Sequence, residues 1–131
     1  MPVGDKVILL SAFDGMAAAP WLLQELCGRP RLALGWELDA ECQKLAAHWV
    51  PWALGRGDIT ADTAENVAGL VNEADPDAEC IVMFVAAPPC QDFSRIRSEA
   101  PGVEGSNGSL FGIAINLMKD VRALLHRHRF A

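Results

Sequence analysis

Short apolar runs alternate along this chain with segments of helical periodicity. Lys6 to Ala12 reads as a buried strand, ended by the turn residues Asp14 and Gly15. Ala18 to Leu26 predicts a helix, stopped where Cys27-Gly28-Arg29-Pro30 places glycine and then proline. Arg31 to Glu37 predicts a second strand. Asp39 is placed to cap a helix from Ala40 to Trp49, which Pro51 closes. A brief strand near Ala53 to Gly57 precedes Asp58, and Thr60 is the expected cap of a helix reaching Ala74. Asp75-Pro76-Asp77 is a turn, and Cys80 to Ala87 is the strongest buried strand, ended by Pro88-Pro89. A polar loop runs to Asn107, and a last helix is expected from Gly108 to His128.

The order is βαβαβαβ-loop-α. With right-handed crossovers it predicts an α/β, Rossmann-like partial parallel sheet, strand order 3-2-1-4, with flanking helices. Ligands in such sheets bind beyond the carboxyl ends of the strands. Each candidate motif sits at one of those ends.

Composition narrows the class. The 131 residues make one domain, and 51% hydrophobic content argues against disorder. No apolar run approaches the ~20 residues that span a bilayer, and Met1 to Lys6 resembles no export signal. A cytoplasmic location without membrane contact is expected. Cys27, Cys42, Cys80 and Cys90 form no CxxC pair, so neither a metal site nor a disulfide framework is expected. The net charge of −6 argues against a chain that grips a phosphate backbone unaided.

Three strand ends carry candidate chemistry. Phe13-Asp14-Gly15-Met16 follows the first strand and opens a helix, which lets backbone N–H groups approach a ligand. Glu37 ends the second strand roughly 20 residues later, where a carboxylate accepts hydrogen bonds from ribose hydroxyls. Ala17 and Ala18 replace the glycines a pyrophosphate would need, so a nucleoside without phosphate is favoured over NAD. Asp58 could accept from an adenine amino group with Ile59 on the ring; taken alone, a simple turn cap is the better reading. Cys90, on the loop after the strongest strand, could be a nucleophile with Arg95 and Arg97 lowering its pKa; taken alone, an inert loop thiol is equally acceptable.

Together, Phe13-Asp14-Gly15-Met16, Glu37-Leu38-Asp39, Gly57-Asp58-Ile59-Thr60 and Pro88-Pro89-Cys90-Gln91-Asp92-Phe93-Ser94 resemble the ordered motifs of cytosine-5 DNA methyltransferases. Gly102 to Gly112 also resembles that family's link from catalytic loop to next helix. The resemblance implies an S-adenosylmethionine pocket lined by Phe13, Asp14, Gly15, Met16, Glu37, Leu38, Asp58, Ile59 and Pro89. It implies that Cys90 attacks C6 of a flipped-out cytosine in DNA, with Gln91, Ser94, Arg95 and Arg97 on the substrate. Leu38 stands where many members carry a larger, often aromatic residue.

The family's next motif, Glu-Asn-Val after a fifth strand, has no counterpart beyond Cys90. Glu65-Asn66-Val67 spells it, but within a helical pattern ahead of the nucleophile, and is read as coincidence. The target-recognition region is likewise unmatched, so this chain alone is expected to be inactive. The alternative is a non-catalytic cofactor-binding or assembly module. An uncovered fourth-strand edge would then pair with a second copy or a complementary C-terminal chain. The terminal cluster His126 to Arg129 is expected to complement a helix dipole rather than bind DNA.

Overall fold

The computed structural model describes residues 3–13, 15, 17–86 and 106–131. Five parallel strands, β1 (Val7–Ala12), β2 (Leu32–Trp36), β3 (Leu54–Gly55), β4 (Ile81–Ala86) and β5 (Arg129–Phe130), lie in the order β3-β2-β1-β4-β5. Helices α1 (Ala18–Cys27), α2 (Ala40–Trp49), α3 (Ala64–Ala74) and α4 (Ser106–Leu124) connect or flank them. β1 is central, with Leu10 opposite Leu34 on one side and Phe84 on the other. This is the expected Rossmann-like arrangement with one further strand.

Alternation of side chains splits the core between the two faces of the sheet. Ile8, Leu10, Ala12, Leu34, Trp36 and Val82 pack with Val67 and Val71 of α3 and Ala114, Val121 and Leu125 around α4. Each fully buried Leu, Ile or Val contributes about 1.5–3 kcal/mol. The opposite face is thinner. Pro20 is the buried residue of α1, and α2 has none. A cavity of about 430 Å³ separates Leu9 and Ala33 from Ala46, Ala47 and Val50. Leu22, Leu26 and Trp49 are 51%, 73% and 57% exposed, so this helical layer presents an apolar outer surface.

The N-terminal end of the sheet closes tightly. A short 3-10 turn at Gly4–Lys6 brings the chain against the end of α1. A Cβ on Gly4 would sit within the Gly28 carbonyl, backbone that cannot rotate away. Gly4→Ala should therefore destabilise the protein by about 1–3 kcal/mol, as overpacking does; an unchanged urea midpoint would contradict this.

Two expectations are corrected. Thr63, not Thr60, caps α3: its hydroxyl accepts from the Asn66 N–H at 3.1 Å. Thr60 instead lies in a 3-10 turn, Ile59–Ala61, capped by Asp58. The last helix ends at Leu124 rather than His128, so the terminal cluster follows the helix instead of forming its last turn. His128 is buried with its Nε2 2.9 Å from Asp75 Oδ2, which turns the chain back into the sheet. β5 then pairs Arg129 and Phe130 with Ile81 and Val82, so the start of the β4 edge is covered. Glu65-Asn66-Val67 lies inside α3, as read.

Asp75, fully buried, is the hub of this closed end. It accepts from the N–H groups of Glu79 at 3.0 Å and Cys80 at 2.9 Å, and pairs with Arg31 at 3.0 Å. Cys80 is buried beside it, and burial pushes its thiol up to about 11, so it stays protonated and inert. No helix among the described residues is long and apolar enough to cross a membrane.

Candidate functional site

The carboxyl ends of β1, β2 and β3 gather the described candidates. The chain leaves β1 through a turn whose described residues are left-handed: Phe13 at φ 58°, Gly15 at φ 58° and Ala17 at φ 65°. Glycine adopts this freely, whereas alanine and phenylalanine are held there at roughly 1–2 kcal/mol each. Ala17 is completely buried as the N-cap of α1, which is what holds it.

Glu37 reaches this turn from the end of β2. Its Oε1 accepts the Gly15 N–H at 2.7 Å, and its Oε2 accepts the Asp39 N–H at 2.9 Å. Gln43 donates to the Glu37 carbonyl at 2.6 Å, which fixes the backbone beneath the side chain. The carboxylate is therefore oriented on both oxygens, each retaining a lone pair for a further donor. The arrangement disfavours a pyrophosphate. The Gly15 N–H that would cradle it is taken, and a phosphate would face the Glu37 charge.

Asp58 leaves the end of β3. One oxygen accepts both the Thr60 N–H at 2.9 Å and the Thr60 hydroxyl at 2.7 Å. These bonds hold its pKa below the usual carboxylate range. Asp58 thus performs the capping task weighed for it, while its other oxygen takes neither bond. Ile59 is 4% exposed and belongs to the core; Leu38 is 59% exposed, and Phe13 is half-buried against the core.

A third carboxylate, absent from the sequence reading, organises these ends. Asp62 accepts from Trp36 Nε1 at 2.8 Å, from Arg56 Nε and Nη2 at 2.9 Å each, and from the Thr63 N–H at 2.9 Å. Burial raises its pKa, but the bonds from Arg56, Trp36 and Thr63 outweigh that and hold it low. Nothing local marks Asp62 in the sequence, because two of its partners, Trp36 and Arg56, come from the ends of β2 and β3.

The structure brings Gly15 and Glu37 into contact, and places Asp58 at the end of the neighbouring strand pair. The cavity under α1 and α2 reaches Glu37 and Gly57 but is lined by neither Gly15 nor Asp58. Asp14, Met16, Pro89, Cys90, Gln91, Ser94, Arg95 and Arg97 lie outside the described residues. Among the described residues, no cluster of His, Cys, Asp or Glu is arranged to hold a metal ion.

The fold and site define a parallel α/β protein whose described candidate residues Gly15, Glu37 and Asp58 lie at the carboxyl edge of its sheet. No protein-family model matches the chain, and no curated protein matches it. Among solved structures it is similar to a TehB-like SAM-dependent methyltransferase from Corynebacterium glutamicum, at 15% identity and a TM-score of 0.40. The match covers 91% of this chain and 65% of that one. At that distance the likeness carries no argument about activity.

Proposed function

We propose that the chain binds S-adenosylmethionine at these strand ends and belongs to an enzyme methylating C5 of cytosine in DNA. The observation that carries the cofactor reading is the Glu37 carboxylate, held on the Gly15 turn with acceptor capacity to spare. A ribose diol offers the two donors this group lacks, and the same geometry repels a phosphate. Glu37 would hold the ribose, Asp58 the adenine amino group, and the exposed Leu38 the ring, with the buried Ile59 backing the pocket from the core. Bound S-adenosylmethionine supplies an activated methyl group.

The sequence around Cys90 supports the cytosine reading. Its thiolate would add to C6 of an extruded cytosine, making C5 nucleophilic, and would leave after a base removes the C5 proton. Two of the described arginines are committed elsewhere, Arg31 to Asp75 and Arg56 to Asp62. Positioning of the duplex would fall to Arg95, Arg97 and parts of the enzyme beyond this site.

Calorimetry with S-adenosylhomocysteine tests the cofactor reading directly: saturable binding is expected, and none at millimolar ligand would remove it. Methyl transfer to cytosine in DNA, measured with an enzyme that carries this chain, should disappear in Cys90→Ser. A second reading is favoured by the apolar outer surface of α1 and α2 and by the shortness of β5, which among the described residues pairs with Ile81 and Val82 of β4. On it the chain is an assembly module that pairs with a second copy or a complementary chain. A monomeric sedimentation profile at high concentration would count against it.

A further inference from the structure

We infer that Asp62 is a positioning residue that sets adenine selectivity by clamping the ends of β2 and β3 at a fixed separation. The inference rests on the adenosyl reading above. Its basis is the smallness of β3, whose ladder with β2 comprises two residue pairs, Leu34 with Leu54 and Gly35 with Gly55. Two pairs give little to hold Asp58, which lies beyond them. One further backbone bond, from the Arg56 N–H to the Gly35 carbonyl at 2.7 Å, extends the ladder toward the site.

The Asp62 carboxylate supplies the rest. Its side chain is 4% exposed, and its four bonds draw on three elements. Trp36, fully buried, immediately precedes Glu37, the proposed ribose acceptor. Arg56 stands two residues before Asp58, the proposed adenine acceptor. Thr63 opens α3, and its N–H completes the set. The two recognition carboxylates thus hang from two side chains joined through one buried group. Arg56 grips it in a bidentate fork, which fixes orientation as well as distance. Asp62 itself touches no ligand in this scheme.

Loss of the clamp should therefore blur recognition of the adenine 6-amino group more than it weakens the fold. The probes are S-adenosylhomocysteine and S-inosylhomocysteine, in which a carbonyl replaces that amino group. The wild-type chain should prefer the adenosine compound by about tenfold or more, the worth of one well-placed hydrogen bond. Asp62→Asn puts an amide donor against the Trp36 or Arg56 donors. It should reduce that preference to about threefold or less, and Asp58→Asn should add little further loss in the double variant. Trp36→Phe, which removes one bond and keeps the ring, should shift the preference in the same direction and guards against a variant that fails to fold. An unchanged preference in folded Asp62→Asn and Trp36→Phe, or strictly additive losses with Asp58→Asn, would overturn the positioning role while leaving the cofactor reading intact. Failure of the wild-type chain to bind either compound would overturn both.

Discussion

Asp75→Ala is expected to destabilise the protein by about 3–5 kcal/mol, a large share of the 5–15 kcal/mol that holds a typical domain together. Not every partner contributes equally. Arg31 is 25% exposed on its side chain and also lies 3.4 Å from Glu79, so it can fall back on solvent and that acid. The Cys80 N–H and His128 have no such retreat, since the bond to Cys80 is buried and His128 is 2% exposed on its side chain. His128 Nδ1 already lacks a partner among the described residues, so losing the bond at Nε2 would leave the ring without one there. Each orphaned buried polar group costs about 1–3 kcal/mol. Urea unfolding measures the sum, and a change below about 1 kcal/mol would show that the hub is not what closes this end of the sheet.

The same group sets an acid limit. Burial raises the Asp75 pKa, but bonds from the Cys80 and Glu79 N–H groups and from His128 outweigh this and leave it below the usual carboxylate value. A carboxylate with a depressed folded pKa stabilises fully above its unfolded value of about 3.9, and that stability is lost as pH falls through the folded pKa. The wild-type urea midpoint should therefore drop from about pH 4 downward. Asp75→Asn should start lower and respond less over that range.

How much of this was legible from the residues depended on the range of the interactions involved. β1, β4, α1 and α2 were readable because their signals are local: an apolar run, a glycine-proline stop, and Asp39 three residues ahead of the Cys42 N–H it accepts. The start of α3 was misplaced because Thr60 and Thr63 are both competent caps. The choice between them is made by Asp58, whose short-range bonds to Thr60 close a separate turn first. β5 was missed because two strand residues carry no periodicity, and what places them is a pair 53 positions apart, His128 with Asp75. The site divides in the same way. Gly15, Glu37 and Asp58 were visible as strand-end residues, whereas Asp62 acquires its meaning when Trp36 and Arg56 arrive from separate strands.

Glu37→Gln should weaken S-adenosylhomocysteine binding by about 100-fold or more. In the wild type the two carboxylate oxygens face two N–H donors, those of Gly15 and Asp39. Glutamine has one oxygen, so its NH₂ must confront one of those donors. If it faces Gly15, the strained turn between Phe13 and Ala17 loses its tie to β2; if it faces Asp39, the cap residue of α2 is pushed away. In either orientation the ribose diol meets a neutral group with half the acceptors. A hydrogen bond to a charged partner is worth about 1.5–3 kcal/mol and a neutral one about 0.5–1.5, so losing one and neutralising the other comes to about the 2.8 kcal/mol that 100-fold represents. Glu37→Asp keeps the charge but retracts it by one methylene, and should lose affinity while retaining the preference for adenosine over inosine. Affinity in Glu37→Gln within about threefold of wild type would mean that any nucleoside the protein binds sits elsewhere, and that the bond between Glu37 and Gly15 only braces the turn.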